Sequence, residues 1–267
     1  MLLYPHTLFN YGHCHCFACF LFVHLACKHG RLITLATNPS CTAAVMSSEK
    51  TSLITPPSFY VRPGEKSDIP GVMAFDQHLM KHSLRSTLEI ASDAELTGSM
   101  FPGPDHKRKL GLVATSPDDA LVGKGSVKAS TYIVDGLDPA KAVAPARAYK
   151  GLLGYSTVSP YRRPSDQRKA YDRSAKLFVY TVEPDVLGPR LWKAVNTALI
   201  EAALARCRAT LSYKNIVTLF GFRDDQPEMV ALRDLFVELG FEQVGLIKEI
   251  YEKDGVLLDL VTLQIKA

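Results

Sequence analysis

His78 and His82 stand four residues apart in a stretch of helical periodicity, so both imidazoles leave one face of a turn, a spacing that can hold a divalent metal. No third ligand accompanies them in sequence, and the other reading is a histidine pair on a surface or in a groove. His13-Cys14-His15-Cys16 with Cys19 carries zinc-type ligands but lacks a second ligand pair at finger-like spacing, so no metal is expected. Cys207 lies between Arg206 and Arg208, cations that favour a thiolate, yet no histidine follows or precedes it closely enough to serve as its base. Tyr213 and Tyr251 carry phenols that can donate a proton or pack within a sheet.

The bulk composition narrows the setting. Apolar residues make up 47% and charged residues 22% of the 267, the balance of a globular chain. The net charge of +4 is not gathered into a basic stripe, and the run 106–109 (HKRK) reads as a solvated loop, so no nucleic-acid partner is expected. Five of the six cysteines precede Met46, leaving Cys207 alone in the body, which suits a reducing, cytoplasmic compartment. The apolar run 17–27 is shorter than the roughly 20 residues a membrane span needs and has no positive flank before it, so no membrane partner is expected. Residues 1–45 are expected to be a leader outside any domain, disordered or an artefact of the gene model, with the folded domain at 58–267.

The elements that must position the candidate residues follow from periodicity and turn chemistry. Residues 58–62 (SFYVR) read as a strand ended by Pro63-Gly64. Ser67-Asp68 can cap a helix over 69–82, with Val72, Phe75 and Leu79 on one face. A second helix is read over 83–95, and strands within 110–115 and 120–128. Residues 135–147 turn to Ala, Pro and Asp and read as a surface insertion, part of one around 116–148. Strands follow at 151–159 and 176–183, separated by an Arg-rich loop. A helix over 191–206 is apolar at Leu191, Val195, Ala198 and Leu199. Then come a strand at 215–222, a helix at 228–239 with Gly240 as its left-handed cap, and a hairpin of 241–251 with 256–265. This order predicts an α+β fold, a mixed and mostly antiparallel sheet flanked by helices.

Three stretches resemble the GNAT superfamily of acyl-CoA N-acyltransferases, and within it the phosphinothricin-acetyltransferase-like branch. Gly151-Leu152-Leu153-Gly154-Tyr155 is similar to that branch's third strand. Val182-Glu183-Pro184-Asp185 with Gly188 resembles the end of its fourth. Leu239-Gly240-Phe241 with Val244-Gly245, followed by Lys253, Gly255, Asp259 and Gln264 in register, resembles its last helix end and last two strands.

The resemblance implies direct transfer of an acetyl group from acetyl-CoA, a co-substrate, to the primary amine of a small-molecule or amino-acid-like acceptor. It implies that the fourth and fifth strands splay apart and that the backbone of Tyr180, Thr181, Val182 and Glu183 pairs with the pantetheine arm. The family's pyrophosphate loop reads Arg or Gln, two residues, Gly, one residue, then Gly or Ala. This chain has Leu187-Gly188-Pro189-Arg190-Leu191-Trp192 there, so all three signature positions differ. Gly188, Arg190, Leu191 and Trp192 are the implied coenzyme contacts, with the Arg190 guanidinium either standing in for lost glycine amides or being that of an ordinary surface residue. Trp192 either packs into the sheet or leans over the phosphates; the apolar stripe beside it is complete without it, which favours the second. The family's glutamate base aligns with Leu177, and Lys176, Asp172 and Glu183 are not evident replacements. Gln226 corresponds to a polar catalytic position before the last helix. The degenerate loop keeps a second reading open, an inactive binding module with the same fold, and a homodimer is also open.

Overall fold

In a computed structural model, residues 58–83, 109–118, 129–138, 140–161 and 173–267 are described. The leader, the Cys/His cluster, the helix expected beyond Ser83, the strand expected at 120–128 and Asp172 lie outside them.

Strand β1 (Phe59–Pro63) leads through a 3₁₀ turn (Lys66–Asp68) into α1 (Ile69–His82). The start of α1 is anchored by charge. Arg62 and Asp68, both buried, form a two-pronged ion pair with both contacts at 2.8 Å, and Asp68 also accepts the Glu65 N–H at 2.7 Å. Asp68 is the N-cap residue as expected, but its carboxylate makes no cap bond to the helix because it is committed to Arg62. The apolar stripe Val72, Phe75 and Leu79 is buried, so α1 lies flat on the sheet with its intervening residues at the edges of the contact.

Strands β2 (Leu110–Thr115) and β3 (Ser130–Tyr132) flank β1. Helix α2 (Ala140–Arg147) falls in the stretch expected to be a surface insertion. It buries Ala142 and Ala146 completely, because small side chains every fourth residue let it sit close to the body. The remaining elements are β4 (Leu152–Pro160), β5 (Ser174–Thr181), the one-turn helix α3 (Pro184–Leu187), α4 (Pro189–Arg206), β6 (Asn215–Phe222), α5 (Pro227–Glu238), β7 (Glu242–Lys253) and β8 (Val256–Lys266). Gly240 has φ +89°, the left-handed cap its position implied.

The eight strands among the described residues form one sheet in the order β3-β1-β2-β4-β5-β6-β8-β7. Every neighbouring pair is antiparallel except β5 and β6. Helices cover both faces. On one, Asn196 of α4 bonds Thr181 of β5 at 2.9 Å, and Phe236 of α5 stacks on Phe220 of β6. On the other, Phe75 of α1 meets Tyr155 of β4 edge to face. No helix among the described residues is long and apolar enough to cross a membrane.

The Arg62–Asp68 pair fixes where α1 begins, and removing one partner would leave the other charge buried alone. Asp68→Ala is expected to cost about 3–5 kcal/mol in urea unfolding; a loss below about 1 kcal/mol would show the pair to be solvated in solution.

Candidate functional site

The parallel pairing of β5 with β6 stops early. Ser174, Ala175 and Lys176 pair with Asn215, Ile216 and Val217, and the strands part beyond them. This is the splay the resemblance implied. A cavity of about 160 Å³ fills the opening. Phe178 and Val179 both line it. Adjacent strand residues point to opposite faces, so the cavity is a slot through the sheet. Phe220, Leu232 and Phe236 line its α5 side, and Lys176, Tyr180 and Tyr251 also border it.

Backbone parity decides which groups of β5 face the slot. The Val182 N–H donates to Leu153 on β4 at 3.0 Å, and the Arg173 carbonyl accepts from Lys214 on the β6 side at 2.8 Å. Hydrogen-bonding direction alternates along a strand, so even-numbered residues bond β4 and odd-numbered ones turn to β6. Past Lys176, Leu177, Val179 and Thr181 aim N–H and C=O at the opening. Of the four residues expected to offer their backbone there, Thr181 has the outward parity on β5, and Tyr180 is the one that lines the cavity. Tyr180 and Val182 are in the β4 ladder, and the Glu183 carbonyl caps α3, accepting from Val186 and Leu187 at 3.2 and 3.0 Å. Motif matching cannot see this parity, because the register on β4 sets it.

On the α1 side, polar groups gather beside the slot. Tyr155 and Tyr180 are cross-strand partners with ring centroids 5.3 Å apart. The Tyr155 hydroxyl donates to Asp76 of α1 at 2.5 Å. Burial pushes the Asp76 carboxyl up to about 6, opposed by that hydrogen bond. Burial and then the Asp76 charge hold the Tyr155 phenol well above its usual range. His78 points its Nε2 at Glu183 Oε1 across 3.4 Å, and its ring meets Tyr149 at 5.5 Å. Burial and then Glu183 raise the Tyr149 phenol. Asp76, Tyr149 and Tyr155 were not singled out by spacing, since each comes from a different element. The only signal was an acidic residue next to the buried Phe75 of α1.

The loop into α4 keeps one glycine that matters. Gly188 has φ +76° and ψ 150°, and nothing lies within 4 Å of where a Cβ would be. A ligand can therefore approach its backbone, ahead of the amides of the first turn. Pro189 supplies no N–H to that turn. Leu191 is wholly buried by its side chain, leaving only its backbone for a ligand. Arg190 is exposed, with Nη1 3.8 Å from where a Cβ on Gly136 would stand. Trp192 overturns the expectation that it leans over the phosphates. It is 4% exposed, inside the core, with its indole N–H unpartnered among the described residues. Helix α4 crosses the middle of a wide sheet, touching β1, β2, β4 and β5, so its buried face is broader than the stripe read from sequence and takes in Trp192, Asn196 and Ile200.

Other candidates separate cleanly. Cys207 is buried and its thiol is pushed up to about 12 by that burial, against a smaller opposing effect of Arg208, so it holds its proton. Tyr213 is a core residue, whereas Tyr251 lines the slot. Gln226 is the N-cap residue of α5, makes no side-chain cap bond, and is not among the slot's lining residues.

Comparison with solved structures places this geometry. The chain superposes on a ribosomal-protein-alanine N-acetyltransferase from Brucella melitensis with a TM-score of 0.52 and 16% identity, over 78% of this chain and 99% of that one. It superposes on a GNAT superfamily phosphinothricin acetyltransferase from Sinorhizobium meliloti in complex with AcCoA with a TM-score of 0.51 and 21% identity, over 77% and 86%. A GCN5-related N-acetyltransferase from Kribbella flavida gives 0.52 and 16%, over 79% and 98%. No protein-family model and no curated protein sequence matches the chain. The fold is the GNAT acyl-CoA N-acyltransferase fold, shared with phosphinothricin acetyltransferases.

Two outcomes follow from burial. Trp192→Gly should lose about 3–5 kcal/mol of stability, as large-to-small core changes do; a variant that melts like the wild type would return the indole to the surface. The Asp76 carboxyl, raised from 3.8 to about 6, holds its proton in the native state at pH values where the unfolded chain has released it. Its stabilising contribution is complete below the unfolded value and is lost as pH rises through about 6. Asp76→Asn should therefore melt above the wild type at pH 8, by on the order of 1–3 kcal/mol, with the gap closing toward pH 4. A pH-independent gap would contradict the shift.

Proposed function

We propose that the chain is an acyl-CoA-dependent N-acyltransferase, moving an acetyl group from acetyl-CoA to the primary amine of a small or amino-acid-like acceptor by direct attack. The observation that carries this reading is the slot through the sheet, one wall of which is the outward backbone of Val179. Acetyl-CoA, when bound, supplies the activated acyl carbon. The residues present suit it: a strand edge for pantetheine amides, and an open Gly188 before a helix N-terminus for phosphates.

The roles divide along the slot. The backbone N–H of Val179 would stabilise negative charge on the acyl oxygen. The Arg190 side chain and the first-turn amides of α4 would hold the pyrophosphate. Asp76 would take the amine's proton through Tyr155, its raised pKa placing it mostly ionised at neutral pH yet basic enough to accept. Tyr251, which lines the slot, is a phenol available to protonate the departing thiolate.

Pro189, which has no amide to offer, favours the second reading, an inactive module of the same fold. Calorimetric titration of the full chain with acetyl-CoA separates the two. Measurable binding is expected, weakened about 10- to 100-fold in Arg190→Ala; no heat at millimolar coenzyme would leave the inactive module standing. In turnover, Asp76→Asn should lower kcat by about 10²–10⁴ with the fold intact, and an unchanged kcat would remove Asp76 from the chemistry.

A further inference from the structure

The last hairpin outruns its neighbour in the sheet. Strand β6 pairs with β8 only as far as Phe222 and Asp259, so residues 251–258 extend past the end of β6. At that same point β7 bulges. Ile247 is opposite Leu260 and Tyr251 opposite Leu258, which leaves Lys248, Glu249 and Ile250 against Asp259 alone. Glu249 takes φ +50° there, a conformation that a residue with a Cβ keeps only where its surroundings enforce it. The Asp259 carboxylate supplies the enforcement, accepting the Glu249 N–H at 3.0 Å and the Lys248 ammonium at 2.7 Å. A bulge bends the strand that carries it, and this one divides the hairpin into a root within the sheet and a tip beyond it.

The tip touches the body by one face. Tyr251 pairs with Leu258 and Lys253 with Val256, so these four side chains share a face. Leu258 is wholly buried, and Tyr251 and Val256 pack against the core. Glu252 and Leu257, on the other face, are exposed. Tyr251 lines the slot, and Lys253 donates to the carbonyl of Ser83, the residue that ends α1. A helix C-terminus presents carbonyls that lack intrahelical donors, and an ammonium suits them. Burial lowers the Lys253 pKa, against an opposing effect of the Asp254 charge, so the contact carries a desolvation cost that release into water returns.

We propose that residues 251–258 form a hinged flap on the slot, pivoting at the bulge pinned by Asp259 and latched by Lys253 on the Ser83 carbonyl. The flap needs only the slot and goes beyond the acyltransferase reading. Latched, it supplies Tyr251 to the wall of the slot and ties that wall to α1, the helix that carries Asp76. Released, it takes Tyr251 away and widens the slot at that wall. The β6–β8 ladder survives the movement, because the pivot lies where that ladder ends.

The test is hydrogen–deuterium exchange of the full chain, read by mass spectrometry on peptides covering the tip (251–258) and the ladder (259–266 and 215–222). In the wild type the paired amides of the tip should exchange at least about 10-fold more slowly than an unstructured chain. Lys253→Met should speed the tip by about 10-fold and leave the ladder unchanged. Lys253→Arg, which keeps the donor, should exchange as the wild type does and guards against a folding defect in the methionine variant. Asp259→Ala, which unpins the bulge with the latch pair in place, should also speed the tip. Nitration of Tyr251 by tetranitromethane should rise with the exchange rate, since release brings the phenol out of the slot. A tip unprotected in the wild type, or unmoved by Lys253→Met, would overturn the latch. A tip unmoved by Asp259→Ala, or a ladder that speeds equally in either variant, would overturn the pivot. Faster exchange with unchanged nitration would show loosening without opening and would overturn the flap.

Discussion

The structure turns on one unmade set of hydrogen bonds, those between β5 and β6 beyond Lys176 and Val217. Two strands that begin side by side in parallel would ordinarily continue. Here each is held by its outer neighbour instead. β5 stays on β4 from Ala175 to Thr181, and β6 stays on β8 from Asn215 to Phe222. Asn196 of α4 further ties Thr181 to its own side. Closing the gap would break one of these ladders. The cost of leaving the Val179 backbone without a β6 partner is that of a polar group facing a slot, and such groups are what an amide-bearing ligand needs.

The two faces of the sheet have separate tasks because the slot connects them. The α4 and α5 face is apolar and broad, and it takes in even Trp192, which sequence likeness would place at a ligand. The α1 face holds the titratable groups, with Asp76, Tyr155 and Tyr180 linked from helix to strand to slot. The buried Arg62–Asp68 pair matters to this arrangement at a distance, since it fixes the start of α1 and so the turn on which Asp76 falls.

Burying Trp192 changes what the altered loop means. A bulky residue at a position kept small in relatives suggests obstruction, but the indole faces the core and leaves the approach to Gly188 open. What the loop has lost is donors, not space. One amide is absent at Pro189, and a flexible guanidinium at Arg190 stands where a glycine backbone would be. Under the proposed acyltransferase reading, that change bears on affinity for the coenzyme's phosphates and not on access to them.

Much of the scaffold was legible in the residues themselves. The bounds of α1 and β6, the Gly240 cap, the terminal hairpin and the mixed sheet all follow from periodicity and turn chemistry, which are local and survive in a single sequence. The surface reading of residues 135–147 missed the buried face of α2, because alanines look indifferent until a helix face is known to meet a sheet; Ala142 and Ala146 are wholly buried. Tertiary structure alone decided the rest. Strand parity on β4 turned the backbone of Val179, and not those of Tyr180 and Val182, toward the slot. The width of the sheet under α4 took Trp192 inward. The meeting of α1 with β4 put Asp76 on Tyr155, residues 79 apart in sequence. Each of these is a relation between elements, set by register and packing, and no residue carries it alone.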